Sequence, residues 1–221
     1  MQENSKEYWD NGYWQEIIKN KKIDFLQDKW MEKYSEEIKK VPSKEAIDLG
    51  CGIGADTKWL LDKGFDVISC DISEIALNKL KQSLPNSKTR QINMKEKLPF
   101  QDNSIGLVNA NLSIHYFNLE TTIKIFNEIY RIIKPNGIFM GRVNSDKNES
   151  YQKESTKKIE ENFYYDYGRY FRLFNKEQFA ILTKQWKTII LNENITVRQN
   201  KKKALWEFIL QKDVSSMGKV H

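Results

Sequence analysis

Apolar residues along this chain fall in short blocks of two kinds. Ala46–Leu49, Phe65–Cys70, Thr89–Asn93, Ile105–Asn111 and Ile138–Val143 are brief apolar runs that read as strands. Between them the apolar residues recur at helical spacing. Asp56–Lys63 is a helix closed by Gly64, and Glu74–Ser83 is one capped by Ser73 and ended by Pro85. Leu119–Ile133 puts Ile123, Phe126, Ile129, Tyr130 and Ile133 on one face before Lys134-Pro135-Asn136-Gly137 stops it. Ahead of the first strand, Phe25, Leu26, Trp30, Tyr34 and Ile38 space out an amphipathic helix over Phe25–Lys40, stopped by Pro42. Residues 144–170 are polar and tyrosine-rich with no clear period. Asn175 then caps a helix to about Gln185, and Trp186–Val197 and Ala204–Gln211 flank a polar turn as an antiparallel hairpin.

Strand and helix in alternation, followed by a hairpin, predict an α/β fold. The expectation is a Rossmann-like doubly wound sheet of seven mostly parallel strands, with a C-terminal antiparallel hairpin and helices on both faces. Residues 1–43 read as an N-terminal aromatic segment and helix that cap the site. Residues 44–213 read as the main domain, with 144–171 a lid insertion, and 214–221 as a tail. Ligands of such sheets bind beyond the carboxyl ends of the strands. Asp48–Gly54, Asp71, Asn93, Asn111 and Asn144 all fall there.

The run Ile47-Asp48-Leu49-Gly50-Cys51-Gly52-Ile53-Gly54-Ala55 leaves a strand and enters a helix, and the next strand ends at Asp71. This is the layout of a nucleotide-binding βαβ unit: glycines let the backbone approach a ligand, and the carboxylate meets ribose hydroxyls. Gly50, Gly52 and Ala55 fit a dinucleotide loop, whereas Asp48 with Gly50, Gly52 and Gly54 fits a D-x-G-x-G-x-G loop. The carboxylate at the loop base would repel a pyrophosphate and attract an ammonium. A dinucleotide enzyme would also need a second half-fold and a substrate domain, for which 221 residues are too few.

Composition narrows the setting. The chain is 39% hydrophobic and 12% aromatic, enough for a folded core, with a net charge of +6. Its lysines are scattered among glutamates except at Lys201-Lys202-Lys203. A polyanion partner and an A/T-biased coding sequence both produce such a balance. Two cysteines, Cys51 and Cys70, make no disulfide framework and point to a reducing compartment. The first ten residues are polar and aromatic rather than a basic-apolar leader, and no apolar run approaches a membrane span. The expectation is a cytoplasmic protein, monomer or homodimer, with no membrane partner.

The order and spacing of four segments carry a resemblance: Ile47–Gly54, Asp71-Ile72-Ser73, Leu98-Pro99-Phe100-Gln101-Asp102-Asn103-Ser104, and Arg131-Ile132-Ile133-Lys134-Pro135-Asn136-Gly137. Together they resemble the class I S-adenosylmethionine-dependent methyltransferases of the small single-domain, methyltransferase 11/25-like type. The layout is also similar to the tellurite and thiopurine detoxifying enzymes. The resemblance implies that S-adenosylmethionine is the cofactor and S-adenosylhomocysteine the product, with no metal. It implies that Gly50, Cys51, Gly52 and Gly54 pass under the methionine part, that Asp48 orients its amino group, and that Asp71 takes both ribose hydroxyls. It further implies that Ile72 packs on the adenine, Asn93 and Met94 lie at the adenine edge, and Asn111 and Leu112 line the methionine side. Asn93 and Gly106 stand where the family often has Asp, and the second departure is expected to cause only a local change.

Methyl transfer from a sulfonium requires alignment and a dry site, plus a base when the acceptor is a hydroxyl or ammonium. In Ser113-Ile114-His115-Tyr116-Phe117 the base candidates are His115 and then Tyr116, with packing as the alternative role of each. Arg142 and Asn144 are candidate substrate ligands, although Arg142 may equally pair with a helix carboxylate. Tyr8, Trp9, Tyr13 and Trp14, with Tyr165 and Tyr167 from the stretch Phe163–Phe171, are candidates for an aromatic lid over a flat or cationic substrate. Asn111-Leu112-Ser113-Ile114 replaces the tetrapeptide that holds an exocyclic amine in nucleic-acid modifiers. A small-molecule acceptor is therefore the leading expectation. RNA or protein methylation and a non-catalytic cofactor-binding partner protein are the alternatives, and a nicotinamide oxidoreductase trails them.

Overall fold

The computed structural model describes residues 6–15, 30–151, 155–198 and 201–213. Seven strands form the main sheet: β1 (Glu45–Leu49), β2 (Asp66–Asp71), β3 (Lys88–Gln91), β4 (Ile105–Asn111), β5 (Ile133–Asn144), β9 (Trp186–Arg198) and β10 (Lys201–Lys212). Their order is β3-β2-β1-β4-β5-β10-β9. β1 to β5 pair in parallel, while β10 pairs antiparallel with both β5 and β9. The doubly wound sheet with a closing hairpin thus matches the sequence expectation.

The period-two alternation of the strands builds two cores. Ala46, Val67, Leu107, Met140 and Ile209 face Trp59 and Leu60 of α2 (Ala55–Asp62). The same face is covered by Trp30, Met31, Tyr34 and Ile38. Ile47, Leu49, Val108, Phe139 and Phe208 face the other way, against Ile125, Phe126 and Ile129 of α4 (Leu119–Ile132) and Phe179 and Leu182 of α5 (Lys176–Leu182). α3 (Glu74–Ser83) packs on β2 and β3. Side-chain caps fix three helix starts: Ser73 accepts from Ala76 N, Asn118 from Thr121 N and Asn175 from Gln178 N.

Three expectations need correction. The helix expected over Phe25–Lys40 is, within the described residues, a 3₁₀ turn at Trp30–Tyr34 followed by the short α1, Ser35–Lys39. Phe25 and Leu26 lie outside them. The Lys134–Gly137 segment does not separate helix from strand, because α4 ends at Ile132 and β5 begins at Ile133. Residues expected to lack regular structure hold a second sheet of β6 (Lys157–Glu160), β7 (Phe163–Asp166) and β8 (Arg169–Arg172). Its second turn places both Tyr167 and Gly168 at positive φ, 44° and 79°, the geometry of a tight two-residue hairpin. Among the described residues no helix is long and apolar enough to cross a membrane.

Candidate active site

The glycine loop leaves β1 with Gly50 and Cys51 both donating to the Cys70 carbonyl, at 2.7 and 3.0 Å. Gly50 and Gly52 have φ of 76° and 53°. A Cβ on Gly50 would lie 2.3 Å from Ser113 Cβ, and one on Gly52 would lie 2.7 Å from the Trp14 ring. Bulk is thus excluded along the inner edge of the loop. Gly54 (φ 93°) is constrained from the other side, since its Cβ would strike Leu80 at 2.7 Å.

Beyond this loop lies a cavity of about 270 Å³ at the carboxyl ends of the central strands. Gly50, Cys51, Gly52, Asp71, Ile72, Asn93, Met94, Asn111 and Leu112 line it, so most of the expected cofactor residues converge there. Asp71 sits at the end of β2, accepting from Gly52 N and from Ser73 N at 2.9 Å each. Burial raises its carboxyl pKa, and these backbone donors oppose the rise. Leu112 follows β4 with φ 52°, a conformation rare for a branched residue, and its amide is held by the Arg142 carbonyl at 2.9 Å. Asn93 serves its own turn: its amide donates to Glu96 and accepts from Lys95 N, each at 3.1 Å.

Other expected residues lie off the cavity wall. Asp48 is buried beneath the loop, accepting from Thr57 Oγ1 at 2.7 Å and Asn109 Nδ2 at 2.8 Å. The same Asn109 nitrogen is 3.1 Å from Asp56 at the start of α2. Burial, and then the charge of Asp56, raise the Asp48 pKa, while Thr57 and Asn109 oppose the rise. Arg142 donates to Asn111 Oδ1 at 2.9 Å, covers the Trp30 ring at 4.9 Å, and its charge stabilises ionised Asp56. Asn144 bonds Tyr151 and Asn148. These side chains form a polar seam between the sheet and α2, held by the fold itself. Tyr165 stacks within the small sheet against Tyr170, and Tyr167 is 81% exposed at the hairpin tip.

His115 is buried behind Tyr116, ring centroids 4.1 Å apart, and its Nδ1 has no hydrogen-bond partner among the described residues. Burial, aided by the charge of Arg169, lowers its pKa from 6.5 to about 3, so the ring is neutral at physiological pH. Tyr116 does line the cavity. Trp9 meets Tyr116 edge to face at 4.6 Å and Tyr8 meets Trp9 at 5.0 Å. Trp9 and Trp14 belong to the π-helical turn Tyr8–Trp14; the Tyr13 side chain lies outside the described residues. Asp10 ties this turn down by accepting from Ser73 Oγ at 2.5 Å.

Sequence reasoning missed Ile53, Ala55, Ile92 and Lys95 of the wall, quoted Ser113 and Phe117 only as flanks of His115-Tyr116, and placed Trp14 in an aromatic lid rather than against the glycine loop. Phe117 had a usable signal, its adjacency to His115-Tyr116. Nothing in the sequence marked Arg172. This fully buried guanidinium pairs with Glu160 and donates to the Phe117 carbonyl at 3.2 Å, while Glu160 accepts from Leu119 N at 3.0 Å. The small sheet thereby grips both ends of the wall segment at residues 117–119.

Residues 47–141 match the model of a methyltransferase-domain family. Over these residues, which carry the glycine loop, Asp71 and β4, the chain is similar to the S-adenosylmethionine-dependent methyltransferases. It is 32% identical over 98 residues to an uncharacterized methyltransferase of Synechocystis, covering 44% of this chain and 46% of that protein. It is 30% identical over 124 residues to the mitochondrial arginine-hydroxylase NDUFAF5 of Homo sapiens, covering 54% of this chain and 35% of that one. The chain thus spans less than half the length of these relatives. The crystal structure of the PH0226 protein from Pyrococcus horikoshii superposes with a TM-score of 0.67 at 19% identity, covering 86% of this chain and 94% of that structure, which shows the fold.

Proposed function

We propose that this chain moves a methyl group from S-adenosylmethionine to a small-molecule acceptor by in-line displacement. The observation that carries the reading is the cradle between Asp71 and the Gly50–Gly52 backbone, where a side chain on either glycine would collide with its surroundings. These residues fit the cofactor. Asp71 accepts from the Gly52 and Ser73 amides, with the Ile72 amide also directed at it, and a carboxylate with about four acceptor sites has capacity left for a ribose hydroxyl. Ile72, Ile92 and Met94 offer apolar surface for the adenine. When bound, S-adenosylmethionine supplies an electrophilic methyl carbon on a sulfonium.

In this reading the chain contributes position and dryness. Trp14 lies over the glycine loop, Trp9 and Tyr116 close the β4 end, and the Arg172–Glu160 pair fixes Phe117. The N-terminal segment serves as the cap and residues 144–171 as the support of the acceptor wall. His115 acts as a neutral positioning residue for Tyr116, Asp48 as an anchor of the loop rather than a cofactor ligand, and the protein works in the cytoplasm as a monomer or homodimer. Calorimetric titration tests the cofactor: S-adenosylhomocysteine is expected to bind and nicotinamide adenine dinucleotide is not; the reverse result overturns the assignment.

A protein acceptor is the second reading, favoured by the human relative whose name records arginine modification. It predicts label transfer from radiolabelled S-adenosylmethionine to bands in a protein extract and none to low-molecular-weight material. RNA as acceptor predicts binding that weakens steeply with salt.

A further inference from the structure

The cavity's charged side chains, Asp71 and Lys95, follow β2 and β3, whereas the wall that follows β4 is of another kind. There the side chains are Leu112, Tyr116 and Phe117, with Trp9 laid against Tyr116 from the N-terminal turn. Two polar side chains of this wall, Ser113 and Asn111, are already committed inside the chain. Ser113 Oγ donates to the Leu49 carbonyl at 2.8 Å, and Asn111 is held between Arg142 and Asp56. His115 is 2% exposed and lies behind Tyr116 rather than on the cavity surface. Among the described residues this end of the cavity therefore offers aromatic surface and no carboxylate or imidazole at the wall.

That combination selects the acceptor. An ammonium would find, among the described residues of this wall, only the weakly acidic Tyr116 phenol as a proton acceptor, and no carboxylate to offset its repulsion from a sulfonium. A nucleophile that ionises by itself needs neither, and flat π-surface against rings is stabilised by burial and edge-to-face contact. Resting on the methyltransferase reading above, we propose that the acceptor is a flat aromatic or heteroaromatic molecule carrying its own acidic O–H, N–H or S–H, seated against Trp9, Tyr116 and Phe117. The acceptor gives its proton to water. The lone pair so freed forms the new bond to the methyl carbon, as the carbon–sulfur bond breaks and leaves its electron pair on a neutral thioether.

The test uses the full chain saturated with S-adenosylhomocysteine and reads binding by calorimetry. 4-Nitrophenol and 4-nitrothiophenol serve as flat acidic probes, benzylamine as a flat cation, and a single-stranded oligouridylate as a polymer. Both acidic probes are expected to bind at least ten-fold more tightly than benzylamine. Trp9→Leu is expected to weaken them at least ten-fold while S-adenosylhomocysteine affinity moves less than three-fold. With S-adenosylmethionine in its place, labelled methyl should appear on the probes. Tighter binding of benzylamine or of the oligouridylate overturns the proposal, as does acidic-probe binding that stays within two-fold in both Trp9→Leu and Tyr116→Ala. Failure of S-adenosylhomocysteine itself to bind removes the cofactor reading and this one with it. Binding of S-adenosylhomocysteine without any acidic probe removes this one alone.

Discussion

Asp71→Ala is the perturbation that reaches furthest into the reasoning. Its carboxylate accepts from Gly52 N and Ser73 N at 2.9 Å, one on each oxygen, with the Ile72 amide also directed at it, out of about four acceptor sites in all. Hydrogen bonds to a charged group contribute about 1.5–3 kcal/mol apiece, part of which water recovers when the carboxylate is removed. For two ribose hydroxyls the net loss is about 1–3 kcal/mol, or roughly a 5- to 150-fold rise in the dissociation constant. Isothermal titration with S-adenosylhomocysteine reads it directly. The substitution also strips a partner from Gly52 N, so a urea unfolding curve on the same protein is needed to show that the native state persists at the titration temperature. Asp71→Asn should fall between wild type and Asp71→Ala, since one oxygen is kept while the amide nitrogen faces a backbone donor. Dissociation constants within two-fold of wild type for both variants would refute the ribose role and with it the argument from the cradle.

His115→Phe should flatten the acid side of the stability profile. The folded chain holds this imidazole near pKa 3 against 6.5 unfolded, so between those values the unfolded state binds more protons. Stability attributable to it is present above pH 6.5 and falls as pH drops, by at most about 1.4 kcal/mol per pH unit; identical wild-type and variant slopes in urea melts from pH 4 to 7 would contradict the burial argument. Lys212→Met removes an ammonium bonded to Asn103 Oδ1 and to the Tyr130 and Ile133 carbonyls at 2.7–2.9 Å, taking this donor from the buried Ile133 carbonyl and the part-buried Tyr130 carbonyl. A loss of about 1–3 kcal/mol in unfolding free energy is expected, and a change under 0.5 kcal/mol would count against it. Gly106→Asp would restore the residue the family often carries, yet its Cβ would lie 2.4 Å from the Ser43 carbonyl oxygen. It should destabilise by about 1–3 kcal/mol through overpacking, and an unchanged melting temperature would show that this segment yields.

Much of the site was readable because it obeys local rules. Gly50 and Gly52 must be glycine for a backbone that turns at positive φ, and Asp71 is carried to its place by the strand that precedes it. The small sheet escaped notice because tyrosines at successive positions in Phe163–Phe171 blur the alternation that marks a strand. The turn signal, Tyr167-Gly168, is also unusual in using tyrosine at positive φ. Arg172 and Asp10 escaped for a different cause: their partners are Glu160, Phe117 and Ser73, and nothing along the chain announces those meetings.

The amino-acid sequence by itself determined the strand order of events, the loop and the carboxylate, since propensity, glycine and a period of two act over a few neighbouring residues. Which groups meet was decided only in three dimensions. Asp48 points under the loop toward Thr57 and Asn109, Arg142 turns to Asn111 and Trp30, and His115 lies behind Tyr116. Each looked like a ligand residue in the sequence because its side chain can donate or accept. Burial among the chain's own donors, acceptors and rings, which depends on contacts between distant segments, is what takes them off the cavity wall and leaves Trp9, Tyr116 and Phe117 on it.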